Sequence, residues 1–404
     1  MTRRSSTTSS APMGCRRDRW RGVGSTPPEG AAAAGPTGAP VTGVVPDTMP
    51  DGLLGLATAL VGIPSVSHHE EVMADAVQAA LELCPWLDVV RVGHNVVART
   101  DLGRDRRVLL AGHLDTVPPA GGNDEPHLEG STLYGLGAAD MKGGLAVFLH
   151  LAGRLDTPTT DVTWCFYAAE EVAHEHNGLR QLWAERPDLL AADAAILGEP
   201  TDGLVEAGCQ GTLRVRVRLA GARAHTARPY AGRNAVHRLA PLLTTVAAYE
   251  GRRPVIDGCE YHEQLQAVSV EGGVAANVVP DEATVVLNHR FAPDRTVAQA
   301  ESGIRELVAP HLEAGDHWEL VDASEGAPPS LGHPVLAALV AATGTAARAK
   351  VGWTDVASFW AHGVPAANFG PADPLLAHTA GEHVSAGELA AAAAVLESLL
   401  TAAI

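Results

Sequence analysis

The run Val108-Leu109-Leu110-Ala111-Gly112-His113-Leu114-Asp115-Thr116-Val117-Pro118, followed by Tyr134-Gly135-Leu136-Gly137-Ala138-Ala139-Asp140-Met141-Lys142-Gly143-Gly144, decides how this chain folds. The first half opens with an unbroken apolar stretch of strand length and ends in a histidine, with an aspartate two residues on. The second is a glycine-rich turn that runs into Leu145, Phe148, Leu149, Ala152 and Leu155, spaced as one face of a helix. A strand end and a helix start are thereby brought together, His113 on one and Asp140 on the other. On an extended chain the side chains of His113 and Asp115 leave from the same face, so the carboxylate can accept the second ring N–H and fix the histidine in one tautomer. Taken alone, the pair reads equally well as a histidine at a loop mouth beside a turn-forming aspartate.

Working outward, the N-terminal side shows a helical pattern at Leu53, Leu54, Ala57 and Leu60, a second helix over about 69–83, and strands at 89–92 and 96–99. On the other side, the apolar strand 162–169 ends in Glu170-Glu171, and the strand 194–197 ends in Gly198-Glu199-Pro200-Thr201. Helices alternating with short apolar strands predict an α/β layer fold. In open sheets of that kind ligands bind beyond the carboxyl ends of the strands, where His113, Glu170, Glu171 and Glu199 all fall. Glutamate pairs usually belong to solvated helix faces; a pair that terminates an apolar strand does not, and its two side chains face opposite ways.

The pattern then changes. Residues 212–219 alternate strictly, with Arg214, Arg216 and Arg218 on one face, as in a half-buried antiparallel strand. A helix over 236–246 containing Pro241, which should bend it, strands at 266–271 and 283–291, and a helix over about 297–312 complete a small antiparallel sheet with two helices, inserted into the larger fold. Beyond about residue 321 the α/β pattern resumes with a helix over 335–346, the segment Gly352-Trp353-Thr354-Asp355, a strand at 366–369, a loop holding His378 and His383, and an alanine-rich helix. The expected organisation is an extension over 1–48, a first catalytic part over 49–209, the inserted lid over 210–322 and a second catalytic part over 323–404.

Bulk properties narrow the function. The chain carries 47 acidic against 29 basic residues, a formal charge of −18. Residues 1–48 hold six arginines against Asp18, Glu29 and Asp47, so the acidic excess lies in the remainder. An acidic body excludes nucleic acid as the natural partner and suits small zwitterionic ligands and metal cations. No apolar run reaches membrane-spanning length. The scattered cysteines, odd in number, point to a reducing, cytoplasmic setting and to no cysteine-based zinc knot. Residues 1–48 lack periodicity and are expected to be disordered; an upstream start codon or a dispensable tail is favoured over a targeting peptide.

The segments around His113 and Asp115, Asp140-Met141-Lys142-Gly143-Gly144, Glu170-Glu171, Gly198-Glu199-Pro200-Thr201 and His378 together resemble the dizinc aminoacylase/carboxypeptidase superfamily. The resemblance covers about Met49 to the C-terminus. It implies a zinc-peptidase-like catalytic domain with a mixed central sheet, and two Zn2+ ions per chain, for which Co2+ can substitute. Asp140 would bridge the ions, His113 and Glu199 would complete one site, and Glu171 and His378 the other. His383 is the rival to His378; the intervening Thr-Ala-Gly-Glu resembles the family's loop after its metal histidine and favours His378. Glu170 would be the general base and Asp115 the residue that orients His113. The lid segment around His225 resembles the motif whose histidine enters the partner subunit's site to stabilise the oxyanion, which implies a homodimer through the lid. Asn277, Arg290 and Thr354 match substrate-binding positions. Segments 206–214, 290–295 and 352–357 resemble the superfamily's actinobacterial desuccinylase branch. The implied reaction is hydrolysis of N-succinyl-LL-2,6-diaminopimelate, in lysine and cell-wall synthesis. The alternatives are deacylation of acetylornithine or another N-acyl amino acid, a metallocarboxypeptidase activity, and, from a different class, a metal-free binding protein on the same fold. Leu136 and Cys209-Gln210 stand where relatives commonly carry arginines.

Overall fold

The computed structural model describes residues 52–402; the extension expected to be disordered lies outside them. The organising strand is Arg107–His113, buried along nearly its whole length. Between these two end residues, from Val108 to Gly112, it stays apolar because both its faces are covered, and a strand with no solvated face has no reason to alternate. Val108 and Leu110 pack into one core with the helices Leu53–Val61, Glu71–Glu82, Gly143–Ala152, Pro334–Thr343 and Ala386–Thr401. Leu109 and Ala111 face a second core with Gly178–Glu185 and Val356–Ala361. Each fully buried leucine there contributes about 1.5–3 kcal/mol relative to exposure.

Eight strands form the central mixed sheet, in the order Asp88–Val92, Asn95–Arg99, Asp161–Tyr167, Arg107–His113, Ala194–Leu197, Ala366–Asn368, Glu206–Ala207, Arg348–Ala349. The third to the sixth run parallel, so their carboxyl ends open on one edge. The helix Gly143–Ala152 lies directly against that edge. A Cβ at Gly144 would collide with the carbonyl of Gly198, and one at Gly112 with the side chains of Leu145 and Met141. These bare positions bring the helix start, with Asp140 just before it, onto the strand ends that carry His113 and Glu199.

The inserted sheet is antiparallel throughout, in the order Gln264–Gly272, Glu282–Phe291, Gly211–Ala220, His317–Ser324. Leu213, Val215, Val217 and Leu219 are buried beneath the helices Ala235–Ala247 and Val297–Val308. Their alternate neighbours Arg214, Arg216 and Arg218 pair with Asp322, Glu319 and Glu282 on the open face. Pro241 lies inside the first of these helices without ending it.

Some elements differ from expectation. The strand His317–Ser324 carries the inserted sheet past residue 322; most of its residues are exposed, so it lacks the alternation that marks its neighbours. The helix expected over 297–312 stops at Val308 and continues as a short 3-10 turn, Ala309–His311, around Pro310. A small sheet of His127–Glu129, Thr132–Tyr134 and His383–Ser385 joins the C-terminal loop to the approach to Asp140, through strands too short to carry a period.

Candidate metal centre

His113 is the last residue of its strand, and Asp140 stands in the turn Ala138–Lys142, entered through the left-handed Gly137 (φ +80°). The Asp140–Met141 peptide is cis. Asp140 turns one oxygen to each of two histidines: Oδ1 lies 3.2 Å from His113 Nε2, and Oδ2 lies 3.4 Å from His378 Nε2. His378 Nε2 is also 2.8 Å from Glu171 Oε1. Donor atoms of His113, Asp140 and Glu199 all lie within 4.8 Å of one another, as do those of Asp140, Glu171 and His378. Asp140 is common to both groups. Glu170 joins His113 and Glu171 in a third group with donor atoms at the same spacing.

The electrostatics are those of carboxylates crowded without enough positive charge. Burial pushes Glu199 up to about 7, aided by the charge of Asp140 and opposed by His113 and Lys350. Burial also drives Glu170 well above the ordinary glutamate range; Glu199, Asp355 and Glu171 add to the shift and His113 opposes it. Asp140 goes the other way, since hydrogen bonds to His113 and His378 outweigh its burial. Those to Asp140 and Glu171 hold His378 at about 10. Among the described residues no arginine or lysine forms an ion pair with Asp140, Glu170, Glu171 or Glu199. Glu199 Oε1 is buried with no hydrogen-bond partner. An orphaned carboxylate oxygen beside imidazole nitrogens and further carboxylates fits divalent cations, and the shared Asp140 makes this a candidate site for two.

Asp115 departs from the expected contact. His113 Nδ1 lies 3.0 Å from the main-chain oxygen of Asp115 and 3.6 Å from its carboxylate. The carboxylate instead accepts the Ser67 hydroxyl (2.7 Å) and the amides of Glu170 (3.0 Å) and Glu171 (3.1 Å). The strand ends at His113, so Asp115 lies past the regular alternation, and three donors converge on it. It thereby anchors the backbone of the glutamate pair.

His383 lies apart from the cluster: its ring rests on Tyr134, 4.8 Å between centroids, and its Nδ1 is 2.7 Å from the Gly381 oxygen. Thr354 is buried with its hydroxyl unpartnered. Arg290 sits half-buried on the inserted sheet opposite Thr212. The acids that could have claimed it, Asp281 and Glu282, pair with Arg223 and Arg218, and among the described residues Arg290 has no acidic partner. His225 and Asn277 are exposed on neighbouring turns and make no hydrogen bond to the cluster. Sequence reasoning passed over Glu382, buried against the turn of Asp140, and Asp355, which accepts from Asn177 (2.8 Å) behind Glu170. The Asp355 position was visible only as the acid following Thr354.

Among the described residues no helix is long and apolar enough to cross a membrane. The sequence pattern of peptidase family M20/M25/M40 matches residues 109–402. The chain is 51% identical over 346 residues to a provisionally named succinyl-diaminopimelate desuccinylase of Mycobacterium tuberculosis, covering 85% of this chain and 97% of that one. It is 45% identical over 352 residues to the succinyl-diaminopimelate desuccinylase of Corynebacterium glutamicum, covering 86% and 95%. In three dimensions it resembles a tripeptidase of Staphylococcus aureus, with a TM-score of 0.72 at 19% identity over 89% of this chain and 99% of that one.

Proposed function

We propose, because this chain belongs to peptidase family M20/M25/M40, that it is a dinuclear amidohydrolase cleaving N-succinyl-LL-2,6-diaminopimelate to succinate and LL-2,6-diaminopimelate. The observation that carries the reading is its likeness to desuccinylases along almost the whole of both chains. His113, Asp140 and Glu199 would hold one ion and Asp140, Glu171 and His378 the other. Zinc suits these nitrogen and oxygen donors, and cobalt can take its place. When bound, the ions supply Lewis acidity that polarises an amide carbonyl and brings the pKa of water towards neutrality.

The chain's own residues do the rest. Glu170 takes a proton from the attacking water on a carboxylate oxygen and returns it to the leaving nitrogen; burial and its acidic neighbours raise this carboxyl above the ordinary glutamate range, so it holds a proton more firmly than a solvated glutamate does. Asp115 keeps Glu170 in place through its amide. Arg290, without an acid of its own, offers a planar fork to the succinyl carboxylate, with Asn277 and the unpartnered Thr354 hydroxyl as neutral contacts. His225, exposed on its turn, would serve a second copy of the chain, its ring donating to the oxyanion of the partner's site in a homodimer joined through the inserted sheet. A sedimentation mass of one chain would set that arrangement aside. The cytoplasm is the proposed workplace, in keeping with Cys84, Cys165, Cys209 and Cys259, which are buried and free among the described residues.

A paired deacylation assay on the zinc-loaded protein tests the substrate. A site built to bond a carboxylate rejects an analogue lacking it, so the succinyl amide of diaminopimelate should be cleaved at least ~10²-fold faster than its acetyl amide or acetylornithine. Equal rates, or faster release of acetate, would overturn the assignment.

A further inference from the structure

We infer that Glu382 is the positioning residue that sets Asp140 between the two histidines. The inference rests on the reading of Asp140 as the shared ligand. Glu382 is 2% exposed and lies on the loop between His378 and the strand that begins at His383. Its Oε1 accepts the amide of Ala139 at 3.0 Å and that of Asp140 at 2.9 Å. Its main-chain oxygen accepts the amide of Gly135 at 3.1 Å. One residue therefore ties the loop that brings in His378 to the turn that presents Asp140, holding that turn at its entrance and at the aspartate itself.

The charge of this carboxylate is committed to the turn. Among the described residues no cation lies within ion-pair distance of Glu382; Lys142, the buried ammonium nearby, donates to the Ile63 oxygen at 2.7 Å. A carboxylate oxygen shared by consecutive amides fixes the peptide plane from which the Asp140 side chain leaves. That plane decides whether Oδ1 and Oδ2 reach His113 and His378 together or only one at a time. Groups that orient a ligand in this way usually change metal affinity by ~10–100-fold when removed. Glu382 belongs to neither donor group, so it acts through Asp140.

The test is a titration of zinc against a competing chelator in chelator-stripped protein, with thermal melting alongside. The unmutated chain should take up two ions. Glu382→Ala should bind zinc ~10–100-fold more weakly. Glu382→Asp, which withdraws the acceptor by a methylene, should weaken it in the same direction. Glu382→Gln keeps an oxygen facing both amides and should restore affinity to that of the unmutated chain. If Glu382→Ala does not fold, the contrast between the Asp and Gln variants decides. A merely structural role would lower the melting temperature of the Ala and Asp variants while leaving zinc affinity unchanged, and that result overturns the inference. So does a Gln variant as weak as the Asp variant. Failure of the unmutated chain to take up two ions would instead remove the ligand reading on which this one stands.

Discussion

Carboxylates in the cleft and carboxylates in the inserted region have the same chemistry and opposite circumstances. In the inserted region Arg216 meets Glu319 across the sheet at 2.7 Å, Arg238 on its first helix meets Asp316 at 2.7 Å, and Arg252 in a loop meets both Glu263 (2.6 Å) and Asp294 (2.8 Å). In the cleft Asp140, Glu170, Glu171 and Glu199 converge, and among the described residues their ion-pair partners are histidines alone. The pKa values follow: Asp316 falls to about 2, because the hydrogen bonds from Arg238 and from the Ala220 and Glu313 amides outweigh its burial, while Glu199 climbs to about 7. Uncompensated buried charge is costly, and a fold keeps it where something else supplies the missing cation. The acids left without arginine partners in the cleft are therefore the ones proposed to hold the ions, in contrast to the acids that arginines neutralise in the inserted region.

The strongest way to break this contrast is at Glu170. Glu170→Gln should keep both ions and lose ~10²–10⁴ in turnover, the usual worth of a general base, whereas Glu171→Gln should lose metal as well. Elemental analysis beside a rate assay separates the two, and equal metal content with equal loss of rate would abolish the division of labour. A smaller effect is expected at Arg290, the one arginine of this sheet argued to serve a ligand. Arg290→Ala should cost the succinyl amide ~10–100-fold in kcat/KM, the worth of a charge-assisted contact, and leave the acetyl amide and the zinc content unchanged. An equal loss on both amides would make it a structural residue like its neighbours.

The smallest effect belongs to the structural acids. Asp316→Asn should destabilise the protein by about 2 kcal/mol near neutral pH. A carboxyl whose pKa is lower in the folded than in the unfolded chain stabilises at pH values above its unfolded pKa. The difference between the two proteins in thermal melts should therefore narrow as pH falls from about 4 towards about 2. A gap independent of pH would mean the contribution of Asp316 is not one of charge.

How much of this was legible in the sequence follows from what each residue is attached to. His113 ends an apolar strand, Glu170 and Glu171 follow shortly after the one that stops at Tyr167, and Glu199 after the one that stops at Leu197; a polar residue at such a boundary stands out against its neighbours. The inserted sheet announced itself where one apolar face met one arginine-bearing face. The strand His317–Ser324 did not, because both its sides are largely exposed and hydrophobic alternation needs one buried face. Glu382 was passed over for a different reason: its acceptors' partners, the amides of Ala139 and Asp140, come from more than two hundred residues earlier, and a lone glutamate in a loop gives no local signal of that. Asp115 was assigned to the right neighbourhood, but beside the Ser67 hydroxyl it accepts two main-chain amides, which no side-chain pattern encodes.

The close approach of Gly144 to the carbonyl of Gly198 gives the site an unusual kind of fragility. The gap between the aspartate arm and the glutamate arm is set by what is missing from two residues that bind nothing. One added methyl group there would leave every ligand in the sequence and alter the width of the jaw that holds them. Drift at these silent positions would therefore alter the spacing of the proposed donor groups long before it erased a single donor atom.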